Sequence, residues 1–320
     1  MLYTRREIGK LALTAPAASL VKSPLAALAQ ARRPNSVIGG VSIGTITYSY
    51  RSMPDQSAEA TLRYVVDSGI SQIELMNGPA ESFAGAPQGG RGGGGQRGEP
   101  QTPAQQAAQR ESAERLKQWR TSVSMDRFKQ LRQMYNDAGV TIYAWKALNP
   151  NMSDQEFEYV FNVAEALGCT HTTLELPTDA AQLKRIGAFA EKRKIYAAYH
   201  THLQGSMTAF DQAFAASKGN RANIDLGHYV AGTGESPIPF LHKFHDRIAS
   251  VHLKDRQTPA HGAGNLPWGT GDTPLKEILQ VMKKEKYTFP ASIELEYDVP
   301  AGSDAVKEIA KCLEYCKAAL

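Results

Sequence analysis

Three things are scarce in this 320-residue chain, and each absence narrows what it can be. There are only three cysteines, Cys169, Cys312 and Cys316, too few for a disulfide framework. Cys312 and Cys316 are four residues apart on a predicted last helix. That spacing separates their Cβ atoms by about 5–6 Å, more than the roughly 3.5–4.5 Å a disulfide requires, so packing is their expected role. Charge of one sign is also lacking. Lys plus Arg number 36 and Asp plus Glu 32, a formal charge of +4, which gives no basis for a nucleic-acid partner. Beyond the N-terminal leader, no run approaches the 18 or more apolar residues of a membrane span. A glycine-rich phosphate loop after the first predicted strand is missing as well.

The first 31 residues read as a leader. Arg5-Arg6 lies in a polar stretch, a mildly apolar segment follows from Leu11 to Leu28, and Ala29-Gln30-Ala31 offers small residues at a cleavage site. These parts, in this order, resemble a bacterial twin-arginine signal, and Pro16 and Pro24 argue against an amphipathic helix there. The expectation is export to the periplasm, with residues 32–320 forming the mature protein.

From residue 40 onward, short apolar runs alternate with longer amphipathic segments. Predicted strands cover Gly40–Tyr48, Gln72–Met76, Thr141–Trp145, Thr172–Leu176, Ile195–His200, Ala222–Asp225, Ala249–Leu253 and Ala291–Leu295. Helix-length connections imply parallel neighbours, and eight such units in one domain predict an α/β fold, a (β/α)8 TIM barrel. Residues 84–109 break the rhythm. Rich in Gly, Pro and Gln, they cannot bury enough apolar surface to offset their ordering entropy, so a disordered or mobile insertion is expected there, with Glu111–Arg120 helical after it.

In barrels, the C-terminal strand ends converge on one mouth, and here they are polar. Strand 4 ends with Glu175, strand 5 with His200-Thr201-His202, strand 6 with Asp225-Leu226-Gly227-His228, strand 7 with His252-Leu253-Lys254-Asp255, and strand 8 with Glu294-Leu295-Glu296. Strand alternation puts His200 with His202, His252 with Lys254, and Glu294 with Glu296 on shared sides. So many carboxylates at one mouth would repel one another unless a cation intervened. One divalent metal ion is therefore expected, and mixed His/Asp/Glu ligation suits Mn²⁺, Co²⁺, Zn²⁺ or Fe²⁺ better than Ca²⁺, with Mn²⁺ the first choice.

The elements Tyr199-His200-Thr201-His202, Asp225-Leu226-Gly227-His228, Val251-His252-Leu253-Lys254-Asp255 and Ile293-Glu294-Leu295-Glu296, in this order and spacing, resemble the xylose-isomerase-like barrel superfamily. That superfamily includes sugar epimerases, inosose dehydratase, dehydroshikimate dehydratase and endonuclease IV. The resemblance covers about Val140 to the C-terminus. It implies a metal held by a Glu, an Asp, a His and a final Glu, of which Asp225, His252 and Glu294 match the last three. The first place is a departure, because the usual strand-5 carboxylate is His200 here. Either His200 replaces it or Glu175 reaches in from strand 4. Glu175 is the expected ligand, since it would preserve the anionic ligand count.

The activity implied is sugar isomerisation or epimerisation through an enediolate, with a metal-dependent lyase or dehydratase acting on a 3-keto-glycoside or inosose-like substrate as the alternative. Glu294, Glu296, His200, His202 and Lys254 are the candidate catalytic groups, with Glu175 a further candidate base. His228, Glu74, Trp145, Lys146 and Arg256 are candidates for contacting the sugar, with Trp145 equally readable as plain core. Asp255 is expected to pair with Lys254 or Arg256. Export and the missing phosphate loop favour a neutral sugar or keto-sugar over a sugar phosphate. A non-catalytic sugar-binding protein is the remaining rival. A multi-metal abasic-site nuclease would need further early histidines and a basic face, which are absent.

Overall fold

The computed structural model describes residues 33–87 and 102–320; the expected leader and residues 88–101 of the insertion lie outside them. Eight strands carry the barrel: β1 Val41–Ile46, β2 Gln72–Met76, β3 Thr141–Lys146, β4 His171–Glu175, β5 Tyr196–His200, β6 Asn220–Asp225, β7 Ile248–Leu253 and β8 Ala291–Ile293. Each pairs in parallel with its sequence neighbours, and closure comes from β8 against β1 (Ile293 opposite Thr45) and β1 against β2 (Thr45 opposite Ile73). The short strand Val37–Ile38 doubles back antiparallel on β1. All eight predicted strands are present, with no end shifted by more than two residues and Gln72–Met76 unchanged.

The helices are α1 Ala58–Asp67, α2 Asn77–Phe83, α3 Pro103–Ser122, α4 Asp126–Asp137, α5 Asp154–Leu167, α6 Ala180–Arg193, α7 Asp211–Ala216, α8 Leu226–Thr233, α9 Ile238–Phe244, α10 Leu275–Lys284 and α11 Ala305–Ala319. Local signals explain their limits. Ser153 caps α5 and exchanges a capping-box bond with Glu156, while Gly168, with φ of 77°, ends the helix in the left-handed region. Among the described residues, no helix is long and apolar enough to cross a membrane.

Part of the expected insertion is ordered helix. Thr102 Oγ1 accepts a hydrogen bond from the Gln105 backbone N–H, the Thr102 backbone N–H donates in turn to Gln105 Oε1, and Pro103 occupies the first turn. This starts α3 eight residues before the predicted helical segment. Two bonded donors and a proline pre-set for the first turn outweigh the low-complexity composition that follows Thr102. The far end of α3 is anchored: Arg120 reaches Glu81 on α2 through Nε at 2.8 Å and Nη2 at 3.2 Å, and Tyr159 donates to the same carboxylate at 3.0 Å. Both Arg120 and Glu81 are largely buried. Glu81→Ala is expected to destabilise the protein by about 3 kcal/mol, because a buried guanidinium would lose both of its close contacts and keep only Glu156 at 3.9 Å; urea unfolding measures it, and a change below about 1 kcal/mol would show the pair to be worth no more than a surface one.

Between α3, α4, α5 and β3 lies an aromatic cluster in which Trp145 is 0% exposed. Its ring stands 6.2 Å from Phe128 and 5.9 Å from Tyr159. The expectation that Trp145 lines the sugar pocket is corrected here. Adjacent strand residues face opposite sides, so Lys146 goes to the mouth and Trp145 to the helix layer. Cys169, Cys312 and Cys316 are buried free thiols, the packing role expected of Cys312 and Cys316 from their spacing.

Candidate metal centre and active site

Four strand ends place His200, Asp225, His252 and Glu294 together, all buried, with one ligand atom from each lying within 4.8 Å of all the others. Glu175 is not in this quartet. It belongs to a second, more open group with His200 and His202, is 51% exposed at its side chain, and binds Lys146 Nζ through Oε1 at 2.8 Å. The expected set of Glu175, Asp225, His252 and Glu294 is thus gathered in three members, with His200 standing at the fourth place. His200 and His202 share a strand side, but β5 ends at His200. His200 is 1% exposed, whereas the His202 side chain is 54% exposed and its Nδ1 lies 3.8 Å from Glu175 Oε2.

Asp225 has two roles, one for each oxygen. Oδ1 accepts the His228 backbone N–H at 2.7 Å and caps α8, a helix that sequence reading missed although Asp is a strong N-cap. Oδ2 is buried without a hydrogen bond of good geometry, yet lies 3.0 Å from Lys254 Nζ; the contact is an ion pair rather than a directed bond. Lys254 also faces Glu294 at 3.0 Å and Glu296 at 2.5 Å. The lysine reaches this place beneath the start of α8 because Gly227 has no side chain: a Cβ there would meet Lys254 Cγ at 2.4 Å and its carbonyl oxygen at 2.6 Å. Gly227→Ala is expected to cost about 1–3 kcal/mol by overpacking and to displace the ammonium, read as a lower melting temperature together with impaired turnover. Wild-type values for both would refute the close approach.

Electrostatics follow from burial and pairing. Burial alone would lower His252, but the carboxylates of Glu294 and Glu74 overcome it and hold the imidazole up to about 10. Burial pushes Asp225 up to about 6, with Lys254 opposing and Glu294 reinforcing. Burial would raise Glu294, yet Lys254 and His252 hold it well below the usual carboxylate range. His200 is held well below the usual imidazole range, by burial first and by His252 second. Burial, Lys254 and Arg256 together bring His228 down to about 2.

The donor set fits a divalent cation. Two imidazoles and two carboxylates converge, His200 Nδ1 and Asp225 Oδ2 are buried with no hydrogen-bond partner, and borderline metals take such N/O sets. Three other expectations are revised. Glu74 is fully buried under His252 rather than at the pocket surface. Arg256 spends its guanidinium on His228 Nδ1 and the Ala263 carbonyl, leaving its Nη groups committed within the protein. Asp255 pairs with neither neighbour; it accepts backbone N–H groups from Gly269, Thr270, Gly271 and Thr273, pinning the loop after β7. Four amides outbid one side chain because the loop folds around the carboxylate. His171 is buried as a structural residue, and His242, His245 and His261 are at the surface, as read from sequence.

Residues 112–316 match the profile of the xylose isomerase-like TIM barrel family. Inosose dehydratase of Clostridium tetani is 26% identical over 157 residues, 42% of this chain and 52% of that protein. Inosose dehydratase of Clostridium perfringens is 26% identical over 164 residues, 45% and 54% respectively. The chain spans about half the length of these curated relatives. Among solved structures, a sugar phosphate isomerase/epimerase from Parabacteroides distasonis superposes with a TM-score of 0.60 at 16% identity, covering 89% of this chain and 96% of that one. A probable 3-DHS dehydratase from Bacillus anthracis does so at 0.59 and 14% identity, covering 86% and 98%. At these identities the structural likeness establishes the fold.

Proposed function

Since this chain belongs to the xylose isomerase-like TIM barrel family, we propose that it is a metal-dependent isomerase or epimerase that removes a proton α to the carbonyl of a neutral sugar or keto-sugar derivative. The observation that carries this reading is the buried quartet of His200, Asp225, His252 and Glu294, bordered by ionisable side chains that solvent reaches. A divalent ion held there, Mn²⁺ by first choice, would supply Lewis acidity toward adjacent carbonyl and hydroxyl oxygens. The rest falls to side chains. Lys254, kept protonated because Asp225, Glu294 and Glu296 outweigh its burial, stabilises negative charge developing on substrate oxygen. Glu296 and the His202–Glu175 pair flank the quartet and are placed to take or return a proton. His228 Nε2 has no hydrogen-bond partner and is 3.6 Å from Glu296 Oε2, where it can orient a hydroxyl.

A neutral substrate is supported by the pairing of cations at the mouth. Lys146 is matched by Glu175 and Lys254 by three carboxylates, and the Nη groups of Arg256 donate to His228 and a carbonyl, so no Nζ or Nη group of the three is left without a partner for a phosphate. The dehydratase names of the sequence relatives favour a second reading, in which the same enolate chemistry expels a β-substituent. Incubation with keto-sugars in D₂O separates the two. Stereoisomers carrying carbon-bound deuterium support isomerisation, an unsaturated product or released aglycone supports elimination, and no carbon-bound exchange with any metal-loaded sample would refute both. Export of the mature chain is part of the proposal, on the leader motif alone.

A further inference from the structure

The barrel interior beneath the quartet holds a column of hydrogen bonds that ends on one metal-facing histidine. Ser250 Oγ donates to Asn223 Oδ1 at 3.0 Å, and so accepts from His171 Nε2 at 3.0 Å, because one hydroxyl has one proton. Asn223, with its oxygen engaged by Ser250, turns Nδ2 toward Glu74 Oε2 at 3.3 Å. Thr173 donates to Glu74 Oε1 at 2.6 Å. Every neighbour of the Glu74 carboxylate is therefore a donor, and its remaining partner is His252 Nε2 at 2.8 Å. A carboxylate can only accept, so Nε2 carries a hydrogen toward Glu74; Nδ1, 2.7 Å from Glu294 Oε2, faces the quartet, and its hydrogen is the one a cation bound there would displace while Glu74 keeps the other on Nε2.

We propose that Glu74 is a positioning residue: held by Thr173 and Asn223, it fixes the tautomer and ring orientation of His252 so that Nδ1 is the metal-ligating atom. The inference rests on the metal reading above and deepens it. Outer carboxylates of this kind also raise the basicity of the imidazole they hold, and losing one costs about 10–100-fold in metal affinity. Glu74 is 178 residues from His252 in sequence and touches no solvent. A packing role alone would show in stability and leave affinity for metal untouched.

The test is Mn²⁺ affinity, measured by competition with a chelator, for wild type, Glu74→Gln and Thr173→Val, with melting temperature recorded in parallel. Glu74→Gln preserves shape and removes the charge; its Mn²⁺ affinity is expected to fall about 10–100-fold. Thr173→Val, which releases one oxygen of Glu74, is expected to lose less, a few-fold by the weaker bond removed. Glu74→Gln that binds Mn²⁺ as tightly as wild type would overturn the proposal, and if that variant does not fold, unchanged affinity in Thr173→Val does so instead. Wild-type protein without affinity for Mn²⁺, Co²⁺ or Zn²⁺ would remove the metal reading and this inference together, whereas tight wild-type binding with an indifferent Glu74→Gln removes the inference alone.

Discussion

Glu175→Gln protein is expected to retain its divalent metal through purification, and His200→Gln protein to lose it. The geometry sets this ranking. His200 is buried beside Asp225, His252 and Glu294 with an unpartnered ring nitrogen, while Glu175 is half exposed and paired with Lys146. An amide in place of the imidazole removes a good ligand for borderline metals, so affinity should fall by more than the roughly 10–100-fold that outer-shell changes cost. Glu175→Gln alters a screened contact and should change affinity little. Asp225→Asn belongs in the same series. Its amide oxygen can still cap α8, so metal loss in a folded variant isolates the ligand role of Oδ2. Metal content by elemental analysis decides the matter, and a loaded His200→Gln beside a metal-free Glu175→Gln would return the fourth place to Glu175.

Glu296→Gln is expected to keep its metal and lose about 10²–10⁴-fold in kcat, the usual contribution of a positioned acid or base. Glu296 lies outside the quartet, bonded to Lys254 at 2.5 Å and close to His228, so it is a carboxylate at the mouth that a metal in the quartet would not take up as a ligand. Lys254 retains Asp225 and Glu294 at 3.0 Å each when Glu296 is neutralised, which protects the fold. Turnover and wash-in of solvent deuterium should fall together. A variant that raises KM while leaving kcat intact would make Glu296 a binding group and transfer the proton step to His202.

Much of the architecture was legible because strand signals are local. Gln72–Met76 and the runs ending in Asp225, Leu253 and Glu294 alternate apolar and polar residues within a few positions, and helix-length spacers force parallel order. Two elements were overlooked for opposite reasons. The capping box at Thr102–Gln105 stood in plain view, but low-complexity composition outweighed it. Asp225 was read as a strand end alone, so the helix it caps went unread.

What the sequence by itself determined is the barrel, the order of its polar strand ends, and the membership of Asp225, His252 and Glu294 in one cluster. Alternation with a period of two is written into neighbouring residues, and barrel closure brings the same strand ends together whatever the loops do. Only the tertiary structure decided between equivalent-looking partners. His200 and His202 share a face, yet β5 stops between them, burying one and exposing the other. Glu74 lies in a strand like any other until closure sets it under His252. Arg256 and Asp255 were drawn to groups on α8 and on a loop more than ten residues away. Burial and partner choice depend on which distant backbone arrives at a given point, and distance along the chain carries no record of that.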